Sequence, residues 1–419
     1  MPRSCTLRSI VVGAGLCAGL VAIPSALPGG ARTEAAEEVQ RLRPEVGKPL
    51  QQAEDLLKQH KPMDAAAQVV EADKVGNKTA YESFVIERIR GAIANAEGDN
   101  MAAARSYEAQ LESGRVSASE QLKLVMAVAS IAYQAKDYPK AVAWITRYFR
   151  QGGNEPMMRT LLIQTYFLQN DCADAGKAQA DQIEAEEKDR QTPAEEQLQL
   201  LAACQERLKD AGGFTATMEK LVVHYPKKDY WAQLIHRVQI KPGFASGRLA
   251  LDVQRLALAV GTLSTSTQYM EMVQRALEGG LVGEAKTILD AGYAAGILGT
   301  GPDAARAQRL KDLVVKTLAD DQPSLATEAP EATARDGDAL LAIGAKYVSY
   351  GQFDKGIPAM EQAVERGGLK RPDDARLHLG LAYLAAGQKS KAVAMFRTVG
   401  GNDGAADLGH LWVLQSGRN

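Results

Sequence analysis

Apolar side chains recur through most of this chain at three- and four-residue spacing, the period of helices with one buried stripe. The clearest instance is the stretch 373–399, in which Leu379, Gly380 and Tyr383 share one stripe and Ala392 and Phe396 lie one turn apart on another. A reversal at Gly387 between the stripes predicts two short antiparallel helices. Gly380 and Ala392 are small enough to let the backbones approach closely, and Tyr383 and Phe396 fill the space beside them. No alternating run of β-branched residues suggests a sheet.

The small residue of the second helix recurs along the chain at Ala65, Ala103, Ala141, Ala175, Thr217, Ala250, Ala285, Gly356 and Ala392. Successive steps run from 33 to 42 residues, apart from one of 71, which predicts a degenerate copy hidden between 302 and 336. The turns are alike too: Gly98-Asp99-Asn100, Lys136-Asp137-Tyr138, Asn170-Asp171-Cys172 and Gly351-Gln352-Phe353. A tight helix reversal needs a residue tolerant of left-handed dihedrals, which explains the recurrent Gly and Asn. Ser117-x-x-Glu120 and Thr192-Pro193-Ala194-Glu195 read as helix-starting capping boxes. Some copies depart from the pattern: Gln205 stands where a small residue belongs, and a loop, 239–247, interrupts the next copy. The stretch 327–338 is rich in Ala, Glu and Pro and predicts a flexible joint, and 405–415 predicts a last helix capping the array.

Leu-Gly-x-x-Tyr, then Ala, then an aromatic four residues on, resembles the tetratricopeptide repeat, whose period is about 34 residues. The resemblance covers roughly residues 46 to 400, strongly at both ends and weakly from 198 to 336. It implies an all-α protein, a right-handed α-solenoid of stacked antiparallel helix pairs. The expected organisation is a signal peptide at 1–31, N-terminal repeats at 32–197, degenerate helical repeats at 198–336, C-terminal repeats at 337–399, and a capping helix and tail at 400–419. In the resembling family, fixed offsets from the small residue of each first helix face the concave groove. Here they give Arg88, Asn95, Ser130, Tyr133, Gln164, Phe167, His236 and Gln274 as partner-binding candidates. Tyr133 and Phe167 equally suit packing between neighbouring helices. Members that grip an acidic C-terminus use an Asn one residue after the small position. Ala92, Ser130, Gln164, His236, Gln274, Ala345 and Leu381 stand there, so such a clamp is not supported.

Composition adds limits. Aromatics make up only 5%, and the net charge of −2 offers no broad basic field for nucleic acid or an anionic membrane. Arg3 and Arg8 followed by the apolar run Ile10–Ile23 predict a cleavable secretory signal, with an uncleaved N-terminal anchor as the alternative, and a lipoprotein box around Cys17 fits poorly. Export across a bacterial inner membrane to the periplasm, or secretion, is therefore expected. Cys172 and Cys204 remain after processing. The repeat register makes their helices neighbours, so an oxidising compartment favours a structural disulfide, with two buried free thiols as the alternative. The five histidines show no metal-ligand spacing, and no Cys-x-x-Cys occurs. No cofactor, metal or catalytic constellation is expected. The expected function is a non-catalytic scaffold binding a protein or peptide. A glycan- or small-ligand-binding accessory protein of the envelope is the alternative, and a helical-ring peptidoglycan lyase a more distant one.

Overall fold

The computed structural model describes residues 41–334 and 336–417, so the expected signal peptide at 1–31 lies outside the described residues. Every regular element among them is a helix, twenty in all, paired into antiparallel hairpins in an α-solenoid arrangement. The chain forms two compact units. The first runs to residue 191 and includes 203–209, and the second comprises 192–202 and the chain from 210 onward. No described helix is long and apolar enough to cross a membrane.

The first unit holds α1 (Pro44–Lys58), α2 (Pro62–Asp73), α3 (Ala80–Glu97), α4 (Asn100–Glu112), α5 (Ala118–Gln134), α6 (Tyr138–Arg150), α7 (Pro156–Leu168), α8 (Cys172–Lys188) and the last residues of α9 (Glu195–Arg207). Three of its hairpins turn by the same device. Gly98, Lys136 and Asn170 adopt left-handed dihedrals. The next residue, an Asp in all three turns, donates its backbone N–H five residues back, to Ala94, Ala132 and Tyr166 respectively. Its side chain then caps the second helix: Asp99 accepts from the N–H of Ala102, Asp137 from Lys140 and Asp171 from Asp174. Four residues into α2, α4, α6 and α8 stand Ala65, Ala103, Ala141 and Ala175, all buried. At the start of the unit, buried Glu82 closes a capping box with Thr79 and receives the guanidinium of Arg43 at 2.8 Å. The Arg43 hydrogen bond, opposed by burial, pulls the Glu82 carboxyl down to about 2.

The second unit holds the start of α9 and then α10 (Ala211–His224), α11 (Lys228–Gln239), α12 (Ala250–Ala259), α13 (Ser266–Glu278), α14 (Val282–Ala294), α15 (Ala304–Ala334), α16 (Gly337–Ser349), α17 (Phe353–Arg366), α18 (Pro372–Ala385), α19 (Lys389–Phe396) and α20 (Ala405–Ser416). Ala285, Gly356 and Ala392 continue the buried ladder. Thr217 and Ala250 do not occupy the ladder position: their helices start so as to place Phe214 and Val253 there. The copy expected between 302 and 336 is one 31-residue helix, α15, and it runs through most of the expected joint at 327–338. Its first half packs Ala307, Leu310 and Val314 into the core of α13 and α14, and Leu325 packs with Leu340 and Ile343 of α16. Contact with helices on either side outweighs the weak local propensity of the Pro-containing stretch.

Small residues decide the closest approaches in this unit. A Cβ on Gly356 would fall 2.7 Å from the carbonyl oxygen of Gly344, and one on Gly380 would fall 2.5 Å from the Phe396 ring. The helix after the last pair does more than cover an end. Against its own neighbours, α20 stacks Trp412 on Phe396 with centroids 6.0 Å apart and lays Gly409 on the Phe396 carbonyl. On its other side it meets α10 and α12. The second unit thus closes into a ring.

Candidate functional site

Of the sequence candidates in the first unit, three come together. Tyr133 near the end of α5 donates its phenol to Gln164 Oε1 of α7 at 3.3 Å, and Phe167 lies one turn beyond Gln164. All three are half-buried. Burial and then the neighbouring Tyr138 hold the Tyr133 phenol above its ordinary range, so it remains a hydrogen-bond donor. Arg88 and Asn95 on α3 are exposed, and Ser130 is buried. His236 on α11 and Gln274 on α13 are exposed and belong to the second unit.

The row continues with a residue the offsets did not pick out. Arg207 at the end of α9 lays its guanidinium on the Phe167 ring, 4.6 Å from the centroid, and donates Nη1–H to Asn170 Oδ1 at 3.2 Å. The cation is exposed but stacked and tethered on one side. Asn170 and Arg207 stand 37 residues apart, about one repeat, a spacing that marks neighbours on adjacent hairpins. That was the available signal. The small residue of this copy is buried Ala202, seven residues before left-handed Lys209 as Ala129 is before Lys136, and Arg207 stands five after it; Gln205 is not that position. Tyr133, Gln164, Phe167 and Arg207 therefore give aromatic surface with polar tips, Tyr133 braced by Gln164 and Phe167 by Arg207.

Beneath the same end lie Cys172 and Cys204. The expected disulfide is not formed: both are free, buried thiols. Burial, and next the hydrogen bond with Cys172, push the Cys204 thiol up to about 12. Cβ of Cys204 also packs 3.3 Å from the position a Cβ would take on Gly176, so the pair acts as small apolar filling between α8 and α9.

A second cluster, unforeseen from the sequence, lies inside the ring. Arg255 of α12 forks onto Glu284 of α14, with 2.7 and 2.6 Å contacts, and donates to Asp252 at 2.7 Å. Asp252 also meets Nε2 of His378 on α18 at 3.0 Å. Burial opposes the charge on Asp252, but His378 and Arg255 outweigh it and hold the carboxyl far below its usual range. Arg255 likewise keeps its charge despite burial because Glu284 and Asp252 face it. The members satisfy one another and ally no nucleophile, so the cluster ties three helices together rather than presenting a reactive group. Among the described residues no group of three or more His, Cys, Asp or Glu side chains is placed to hold a metal ion.

A family model described as tetratricopeptide repeat matches residues 93–156 and 330–405. Among solved structures, the chain is similar to Naa15/Naa10 bound to HypK-THB, at 16% identity and a TM-score of 0.32, covering 87% of this chain and 58% of that one. It is also similar to yeast Tom70, at 12% identity and a TM-score of 0.25, covering 89% of this chain and 95% of that one. A third is the TPR domain of P58(IPK), at 12% identity and a TM-score of 0.24, covering 88% and 98% respectively. The chain thus spans little more than half the length of the first of these. No curated protein sequence matches it.

Proposed function

From the premise that this chain is a tetratricopeptide-repeat protein, we propose that it is a non-catalytic scaffold whose first unit binds an extended segment of a partner protein. The observation that carries this reading is the braced row of Tyr133, Gln164, Phe167 and Arg207. Aromatic and Arg side chains concentrate binding energy because they join apolar area to hydrogen bonding. Here the Tyr133–Gln164 bond and the Arg207–Phe167 stack order those groups before any partner arrives, which lowers the entropy cost of docking. The outward edge of the Arg207 guanidinium suits a partner carboxylate, with apolar side chains meeting the rings of Tyr133 and Phe167. The basic and apolar leader, Arg3 and Arg8 before Ile10–Ile23, supports action outside the cytoplasm, in the bacterial periplasm.

Site-specific photocrosslinking tests the reading. A benzophenone amino acid in place of Gln164 is expected to capture a protein adduct in producing cells, and one in place of exposed Met101 on α4 is not. The adduct at 164 should disappear on Arg207→Ala with helicity unchanged. Adducts at 101 alone would move the binding surface off this face. No adduct at either position, with glycan recovered on the protein instead, would favour the ligand-binding alternative.

A further inference from the structure

The ring of the second unit is closed by a junction rich in ion pairs. Within the hairpin of α13 and α14 the contact is apolar, through Met270, Met272, Val273, Ile288 and Leu289. At the closure, the loop between α11 and α12 meets the loop between α19 and α20, and charge carries much of the contact. Arg248 is held between the carboxylates of Asp374 and Asp403. Lys241 reaches Asp407 at 2.6 Å, and His410 reaches Glu219 at 3.1 Å. The Ala245 N–H donates to the Asp403 carbonyl at 2.9 Å. Apolar contacts join them as well: Phe244 lies on Gly404 so closely that a Cβ there would be 2.2 Å from the ring, with Leu249 at 3.4 Å.

Both loops are built to pivot. Gly243 in one, and Gly401 and Gly404 in the other, hold left-handed dihedrals that other residues rarely take, and Gly247 and Gly400 flank them. We propose that this junction is a clasp: the ring opens and closes there, with Arg248 as its pin, while the remaining hairpins move as packed bodies. Opening releases α20 from α10 and α12, breaks the Asp252–His378 bond between α12 and α18, and exposes the inner face. Closure depends on several half-exposed ion pairs that salt screens, whereas the apolar joins do not. The clasp is thus the ring's weakest join at high ionic strength. Its consequence is a unit that can pass around, or shut out, a segment lying against its inner face, controlled by charge at one point on the rim.

Hydrogen exchange on the full chain tests this. In Arg248→Ala, amides of 241–249 and 405–416 should exchange about tenfold faster, with those of α17 unchanged, as a local opening requires. The wild type in 1 M NaCl should show the same localised change. A charge exchange, Arg248→Asp with Asp374→Arg, should recover much of the lost protection. Uniform loss across 210–417 in the variant would mean that the junction is simply part of one cooperative core. Unchanged protection at 241–249 would show that Arg248 is no pin. Either result overturns the clasp.

Discussion

The two units solve the same hairpin problem with different residues. In the first, every described non-glycine residue at positive φ lies before residue 210: His60, Asn77, Lys136, Asn170, Arg190 and Lys209. Several of these turns are secured by an Asp cap one residue later. In the second, the corresponding turns use Gly280, Gly351 and Gly387, and the residues that follow, Leu281, Gln352 and Gln388, make no side-chain cap. The first unit therefore accepts backbone strain and recovers stability through local caps. The second relaxes its turns and relies on close glycine contacts and on ion pairs between residues far apart in sequence. Local specification leaves an open face with ordered side chains, and non-local specification closes a ring.

Substitutions that add one methyl group should separate the two designs most sharply. Gly356→Ala drives a Cβ against a backbone carbonyl that cannot retreat, and should cost about 2 kcal/mol even after the helix gains from alanine. Gly91→Ala in the first unit meets only the side chains of Tyr107, Gln110 and Ser106 at 3.1–3.3 Å, and should cost under about 1 kcal/mol. Urea unfolding of the two variants decides the contrast, and equal costs would erase it. Next in size is the Asp cap. Asp137→Ala should lose about 1 kcal/mol, whereas Gln388→Ala, with no cap to lose, should change little, as thermal melts will show. The smallest effect has the opposite sign: Lys136→Gly should stabilise the first unit by up to about 1 kcal/mol by removing left-handed strain.

Acid offers another handle on the first unit. The Glu82 carboxyl is lowered from 4.5 to about 2 by Arg43, so its contribution is complete above pH 4.5 and is lost as pH falls toward 2. Arg43→Ala should flatten that part of the stability–pH curve, and an unchanged curve would remove the pair from the account.

Much of this was legible because repeats write local rules many times over. The small residues at Ala103, Ala141 and Ala392 and the Asp turns follow from helix period and dihedral preference alone. Tyr133, Gln164 and Phe167 follow from the repeat register, and Arg207 is missed when the small position of its copy is set at Gln205 instead of Ala202. The errors cluster where tertiary contact overrides pattern. Thr217 and Ala250 have the size of a ladder residue but not its place in the helix, and α15 spans most of a stretch whose Ala, Glu and Pro content predicts a joint. The buried Asp252–Arg255–Glu284–His378 cluster and the ring closure left no local trace. Each charge sits in a helix or loop where an exposed residue would look the same, and partners such as Arg248 and Asp403 are 155 residues apart.

The most direct measurement is affinity for the partner segment captured at position 164, compared across Phe167→Ala, Arg207→Ala and Gln274→Ala. If the ordered face of the first unit does the binding, the first two should each weaken it at least tenfold, at unchanged helicity, and the third should leave it intact. Equal loss in all three, or loss with Gln274→Ala alone, would contradict that assignment.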